Sequence, residues 1–286
     1  MQDTLESQVN ALSELIGAEL ASGRVNFPTF LQASIRIKEC ADDPDASLQD
    51  IANLIRAEPL LSARVIGMAN SALLNPGGKP ITAIGPAVVR IGLLPIRTLA
   101  FVVAAQQLAN DLRSEELKAA ASALWMHSVD VATRSHALAK HFKVCPADKA
   151  MLIGMLRNVG EFYLIARISE FTELAADPEQ TSDFVSTWRE PVGAALLEAL
   201  ELPVEILESV EDGSLYGGLW PPTDIGDLLF VATLSAESAN PFDPTSPDQR
   251  AAILDSALHG SGRDELNALL ESATPRRSEM IAMICG

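Results

Sequence analysis

Aromatic residues are scarce, at 5% of the 286 positions. Tyr, Phe and Trp are preferred builders of sheets, so their shortage disfavours strands, and no stretch alternates apolar and polar residues for long. Cysteine is also rare. Cys40, Cys145 and Cys285 are odd in number, widely spaced and in no CxxC pair, which argues against a zinc knuckle or a disulfide framework and fits a reducing compartment. Basic residues are outnumbered, 21 against 38 acidic, for a net charge of −17. No stripe of Lys and Arg stands out, so a nucleic-acid surface is not expected, nor docking on anionic lipid. The longest strongly apolar stretch, LAFVVAA, is too short to span a membrane. The opening MQDTLESQVNALSELIGAEL reads as an acidic amphipathic helix without the basic head and apolar core of an export signal. A cytoplasmic protein is expected.

Chemical signatures are thin as well. There is no GxGxxG, GxxxxGK[ST], HExxH or GxSxG. Of the four histidines, His136 and His141 are five apart and share a helical face poorly. His127 falls on an apolar stripe with Leu124 and Val131, where a histidine bonded to a neighbour in the core is the plain reading.

What is abundant is alanine and leucine, both strong helix formers. An all-α chain is predicted, with clear punctuation. Pro28 opens a helix, and Asp43 to Ala46 make a turn. Ser47 and Asp50 form a box-like start for the next helix. Pro59 begins PLLSARVIGMANSALL, NPGGKP breaks the chain, Thr82 caps TAIGPAVVRIG, and Leu93 to Leu108 are helical. Ser114 starts a long helix to Phe142. After Pro146 a helix runs to about Gly160, and another to Ile168. DPEQTSD reads as a loop, Pro191 and Pro203 as helix starts, and IGDLLFVATLSAESA as one helix. Ser246, Pro247 and Gln249 mark a further start, Gly260 a stop, and GRDELNALLESA precedes a short final helix. The break around NDLRSEE divides the chain into two packed subdomains near residue 110.

Several blocks agree in order and spacing with one family. Pro28, Asp43-Pro44-Asp45-Ala46-Ser47, Glu58-Pro59, Ala63-Arg64 and Ala69-Asn70-Ser71 are its landmarks, followed by Arg90, Gly92 and Arg97, then LWMHSVDVATRSHALAKHF and LIGMLRNVGEFYLI. The chain resembles the HD-related output domain family, HDOD, over roughly residues 25 to 240. Residues 1–24 and 241–286 would be helical extensions. The resemblance implies an HD-like helical bundle preceded, up to about 110, by an N-terminal helical subdomain.

The related HD phosphohydrolases hold divalent metal with a histidine, a His-Asp pair and a later aspartate. The resemblance puts the first histidine at His127. Arg157 and Asn158 stand where the pair should be, and Thr233 where the aspartate should be. A histidine often seen further on is replaced by Arg189 or Glu190, and others by Glu211 and Asp212. A guanidinium has no lone pair to offer a metal. Arg157 would instead pair with Glu161 one turn on, or bind an anion. A unit charge pair at about 4 Å and an effective dielectric near 20 is worth roughly 4 kcal/mol, so a divalent metal beside Arg157 would meet up to about twice that as repulsion.

The resemblance therefore implies a bacterial signal-transduction module without catalysis, metal or cofactor. It would act through contacts with signalling proteins such as a histidine kinase, a response regulator or a cyclic-dinucleotide enzyme. Two alternatives stay open: a metal-dependent phosphohydrolase, and a sensor of a small anion in the pocket formed by His127, Arg157, Asn158, Arg189 and Thr233.

Overall fold

The computed structural model describes residues 2–22, 36–37, 39–40, 43, 45–71, 74–93, 95–96, 99–100, 103–104, 107–108, 112–199, 220–259 and 262–285. Every regular element among them is a helix. The expected helix at Pro28, the start at Pro203, the stop at Gly260, and Glu211 and Asp212 lie outside the described residues.

Three hydrophobic clusters organise the chain. The first belongs to α2 (Leu48–Arg56), α3 (Pro59–Ala69) and α4 (Ile84–Ile91), with Leu93, Ile96, Leu99, Ala100 and Val103. Ser47 caps α2 through a full capping box with Asp50. α3 stops at Ala69, earlier than its apolar run suggests. The Asn70 amide donates to the carbonyls of Ile66 and Ile81 and accepts from the Ile81 N–H, tying the helix end to the following loop. α4 starts at Ile84 with Ala83 at the cap, so Thr82 does not cap it.

The second cluster fills the bundle. Its spine is α5 (Glu115–Phe142), capped by Ser114, whose hydroxyl accepts from the Leu117 N–H. At 28 residues it is about 42 Å long. Against it pack α6 (Ala147–Leu156) and α7 (Val159–Ile168), and on α7 pack the short α8 (Thr172–Ala175) and α9 (Pro178–Ala199). Two expectations fail here. α6 and α7 divide at Arg157 and Asn158, not near Gly160, because Asn158 leaves helical geometry at φ −99° and ψ 19°. α9 begins at Pro178, so DPEQTSD is not a loop and Pro191 lies inside a helix. Pro191 has no N–H for the carbonyl of Thr187, a loss set against the packing of α9 on α7. That packing is close: a Cβ on Gly160 would sit 2.3 Å from the Arg189 carbonyl oxygen.

α1 (Gln2–Ser22) joins this bundle and not the N-terminal subdomain that follows it in sequence. Leu12 and Ile16 are buried in the bundle core, Glu19 accepts from the Tyr163 hydroxyl, and Gln8 accepts from the N–H groups of Glu173 and Leu174.

The third cluster closes the other end. It joins α5 and α6 to α10 (Ile225–Leu234), α11 (Pro247–Ala257) and α12 (Gly262–Cys285). The residues Ser235 to Ala239 are not part of α10, which ends at Leu234. Ser246 and Gln249 form the expected capping box. α12 continues through Pro275, so there is no separate final helix, and it also packs against α3 of the first cluster.

Candidate functional site

The middle of α5 faces a cavity of about 560 Å³, closed by the α6–α7 junction, by α9 and by the segment after α10. His127, Arg157, Asn158, Arg189 and Thr233 all line it. Residues separated by up to 106 positions thus meet on one wall, with Glu161, Glu190, Asn240 and Asp243 beside them.

His127 is buried, at 2% exposure, and its Nδ1 lies 2.8 Å from the Ser238 carbonyl oxygen. A carbonyl can only accept, so Nδ1 carries the proton and Nε2 keeps the lone pair. Burial pushes the His127 pKa down from the ordinary 6.5; the Ser238 bond works against this, while Arg250 and Arg157 add to it. Asn158 is buried and donates to the Ser128 hydroxyl at 2.9 Å, and that hydroxyl donates to the Leu124 carbonyl. Thr233 donates to the Leu229 carbonyl of its own helix at 2.8 Å.

Glu161 occupies the centre of the charge arrangement. It is 4% exposed, accepts from the Asn240 amide at 3.0 and 3.2 Å, and lies 3.5 Å from an Arg189 guanidinium nitrogen. Burial raises its pKa, while Asn240, Arg189 and Arg157 pull it back. Burial also weighs against the Arg157 charge, which Glu161 supports. The expected Arg157–Glu161 attraction is present, but Glu161 is deeply buried and its ion pair is with Arg189 on another helix.

A second network backs the cavity. Asp130, one turn beyond His127 and buried, accepts from the N–H groups of Glu237 and Ser238 and from Arg134. The segment from Ala236 to Asn240 is therefore pinned by its backbone to α5 and by its Asn240 side chain to α7. Sequence reasoning missed Glu161 as the hub, along with Asp130 and Asn240. Glu161 could have been suspected from its apolar surroundings, VGEFYLI, in which a lone carboxylate must find partners.

Among the described residues, no three His, Cys, Asp or Glu side chains come together as metal ligands would. None of the described helices is long and apolar enough to cross a membrane.

With this geometry in view, comparison with known proteins gives a clear assignment. Residues 27–214 match the HDOD domain. The chain belongs to the HDOD family. Solved structures share the HDOD fold along nearly the whole length. A provisionally named metal-dependent phosphohydrolase from Shewanella amazonensis SB2B aligns at TM-score 0.66 and 24% identity, covering 96% of this chain and 99% of that one. An HDOD domain protein of unknown function from Geobacter sulfurreducens aligns at 0.57 and 23%, covering 97% and 98%. A protein from Marinobacter aquaeolei VT8, provisionally named for signal transduction, aligns at 0.54 and 18%, covering 96% of this chain and 65% of that one. No curated protein matches the HDOD chain.

Proposed function

We propose that this HDOD protein is a non-catalytic signalling module that works through protein contacts. One observation carries the reading. His127, Arg157, Asn158 and Thr233 line one cavity, and the family resemblance aligns them with the metal-ligand positions of the HD phosphohydrolases. A guanidinium cannot ligate, and the Asn158 amide and Thr233 hydroxyl are already bonded within the protein. Neutral imidazole at His127 is one sound donor, which is too few for a divalent ion. These residues do not fit a metal. Hydrolysis of phosphate esters in the HD manner needs one, to lower the pKa of water and to neutralise the phosphoryl group.

Family membership supports the signalling role, and the partner class that suits it is a histidine kinase, a response regulator or a cyclic-dinucleotide enzyme. An anion at Arg189 is a weaker reading, because Glu161 already faces that guanidinium.

The test is to incubate purified protein with manganese, magnesium, nickel or iron and generic phosphodiester and nucleotide substrates. No turnover is expected. Metal-stimulated hydrolysis that disappears in His127→Ala would overturn the proposal. The combined change Arg157→His, Asn158→Asp and Thr233→Asp is expected to create metal binding, measured by calorimetry.

A further inference from the structure

On the far side of the Ala236–Asn240 segment, three arginines distant in sequence line a second cavity of about 340 Å³. Arg134 comes from α5, Arg250 from α11 and Arg263 from α12. Two of them have carboxylate partners. Arg134 lies 3.2 Å from Asp130 and 2.9 Å from Glu237, and Arg263 lies 3.3 Å from Asp255. Arg250 differs. It is 9% exposed, and among the described residues no carboxylate comes within ion-pairing reach of it. Its guanidinium makes one long hydrogen bond, 3.5 Å from Nη2 to the Ala236 carbonyl oxygen. Arg263 adds an Nη1 that is buried without a hydrogen bond, its approach to Asp255 being poorly directed.

A guanidinium cannot shed its proton, and a buried cation without a counter-charge is costly. In a chain of net charge −17, carboxylates are plentiful, yet none among the described residues pairs with Arg250. An anion from outside would complete it. The cavity's other walls define the rest of that ligand: Leu234, Leu254, Leu266 and Leu270 offer apolar surface beside the arginines. Glu237 and Glu271 also border the cavity, and Glu237 is turned to Arg134, with its side chain 67% exposed. The volume lies within the usual range for small-molecule sites. Guanidinium forks match phosphate oxygens in pairs, and a dianion is better suited than a monoanion to more than one arginine.

We propose that this cleft binds a small organic phosphate, with the phosphate on Arg250 and Arg263 and an apolar body on the leucines. The site is separate from the His127 cavity and independent of whether that cavity is catalytic.

Phenyl phosphate, inorganic phosphate and benzoate are suitable probes, titrated by calorimetry against the full chain at constant ionic strength. Saturable binding of phenyl phosphate is expected, tighter than that of inorganic phosphate. Arg250→Gln is expected to weaken it by at least about tenfold, the loss of a charged hydrogen-bonding partner. Arg263→Gln, at a more exposed position, should weaken it too and serves if Arg250→Gln does not fold. Arg157→Gln should leave it unchanged. Absence of saturable binding, binding indifferent to Arg250 and Arg263, or binding abolished by Arg157→Gln would each overturn the proposal. Benzoate binding as tightly as phenyl phosphate would overturn the choice of phosphate.

Discussion

His127 stays neutral to a lower pH in the folded chain than in the unfolded one, because burial disfavours its charge. The unfolded state therefore binds the extra proton first. Stability is full above the ordinary pKa of 6.5 and falls as pH drops below it, with a slope of up to about 1.4 kcal/mol per pH unit from this group. Denaturant melts between pH 7.5 and 5 are expected to show a smaller slope in His127→Gln than in the parent. Asn158→Ala should cost about 1–3 kcal/mol, since it strips a buried partner from Ser128. At this scale the residues singled out by family register, His127, Arg157, Asn158, Arg189 and Thr233, line one cavity. The sequence was silent on Glu161 as a hub, because pairing with Arg189 depends on how α9 lies across α7. Helical spacing suggested Arg157 as partner and carried no information about that crossing.

Between elements, Gly160 lies close against Arg189 and Gly193. Gly160→Ala is expected to force α7 and α9 apart at a cost of about 1–3 kcal/mol, read as a lower denaturation midpoint with an unchanged slope. Leu12→Ala in α1 should cost about 2–5 kcal/mol, because Leu12 is wholly buried in the bundle. That result would separate a structural part of the bundle from a dispensable extension. Element existence was largely legible from helix formers and caps, as Ser47, Ser114 and Ser246 illustrate. Boundaries at proline were legible at Pro59 and Pro247, which open α3 and α11, and not at two others. Pro191 and Pro275 carry the local signal of a helix start, yet both sit inside helices. For Pro191, burial of Val192, Leu196 and Leu197 in the bundle core favours continuity more than one lost hydrogen bond opposes it.

For the whole molecule, the −17 charge governs what can approach. Fluorescence anisotropy with duplex DNA at moderate ionic strength is expected to show no tight, salt-sensitive binding. The same composition hid the arginine cleft. No basic stripe exists along the sequence, and Arg134, Arg250 and Arg263 become neighbours only when α5, α11 and α12 assemble. The bundle cluster takes in Ala104 and Leu108, α1 joins it from the chain start, and α12 touches α3 of the first cluster. Chain order alone could not reveal either return.

The five residues from Ala236 to Asn240 amount to a party wall. Arg250 holds the Ala236 carbonyl from one room, while His127 holds the Ser238 carbonyl and Glu161 the Asn240 amide from the other. A ligand in one room would reach the other through these residues. Thermodynamic linkage makes any such influence run equally in both directions. The imidazole resonances of His127 are thus expected to move when phenyl phosphate fills the arginine side, and a silent His127 at saturation would mean that the wall is rigid.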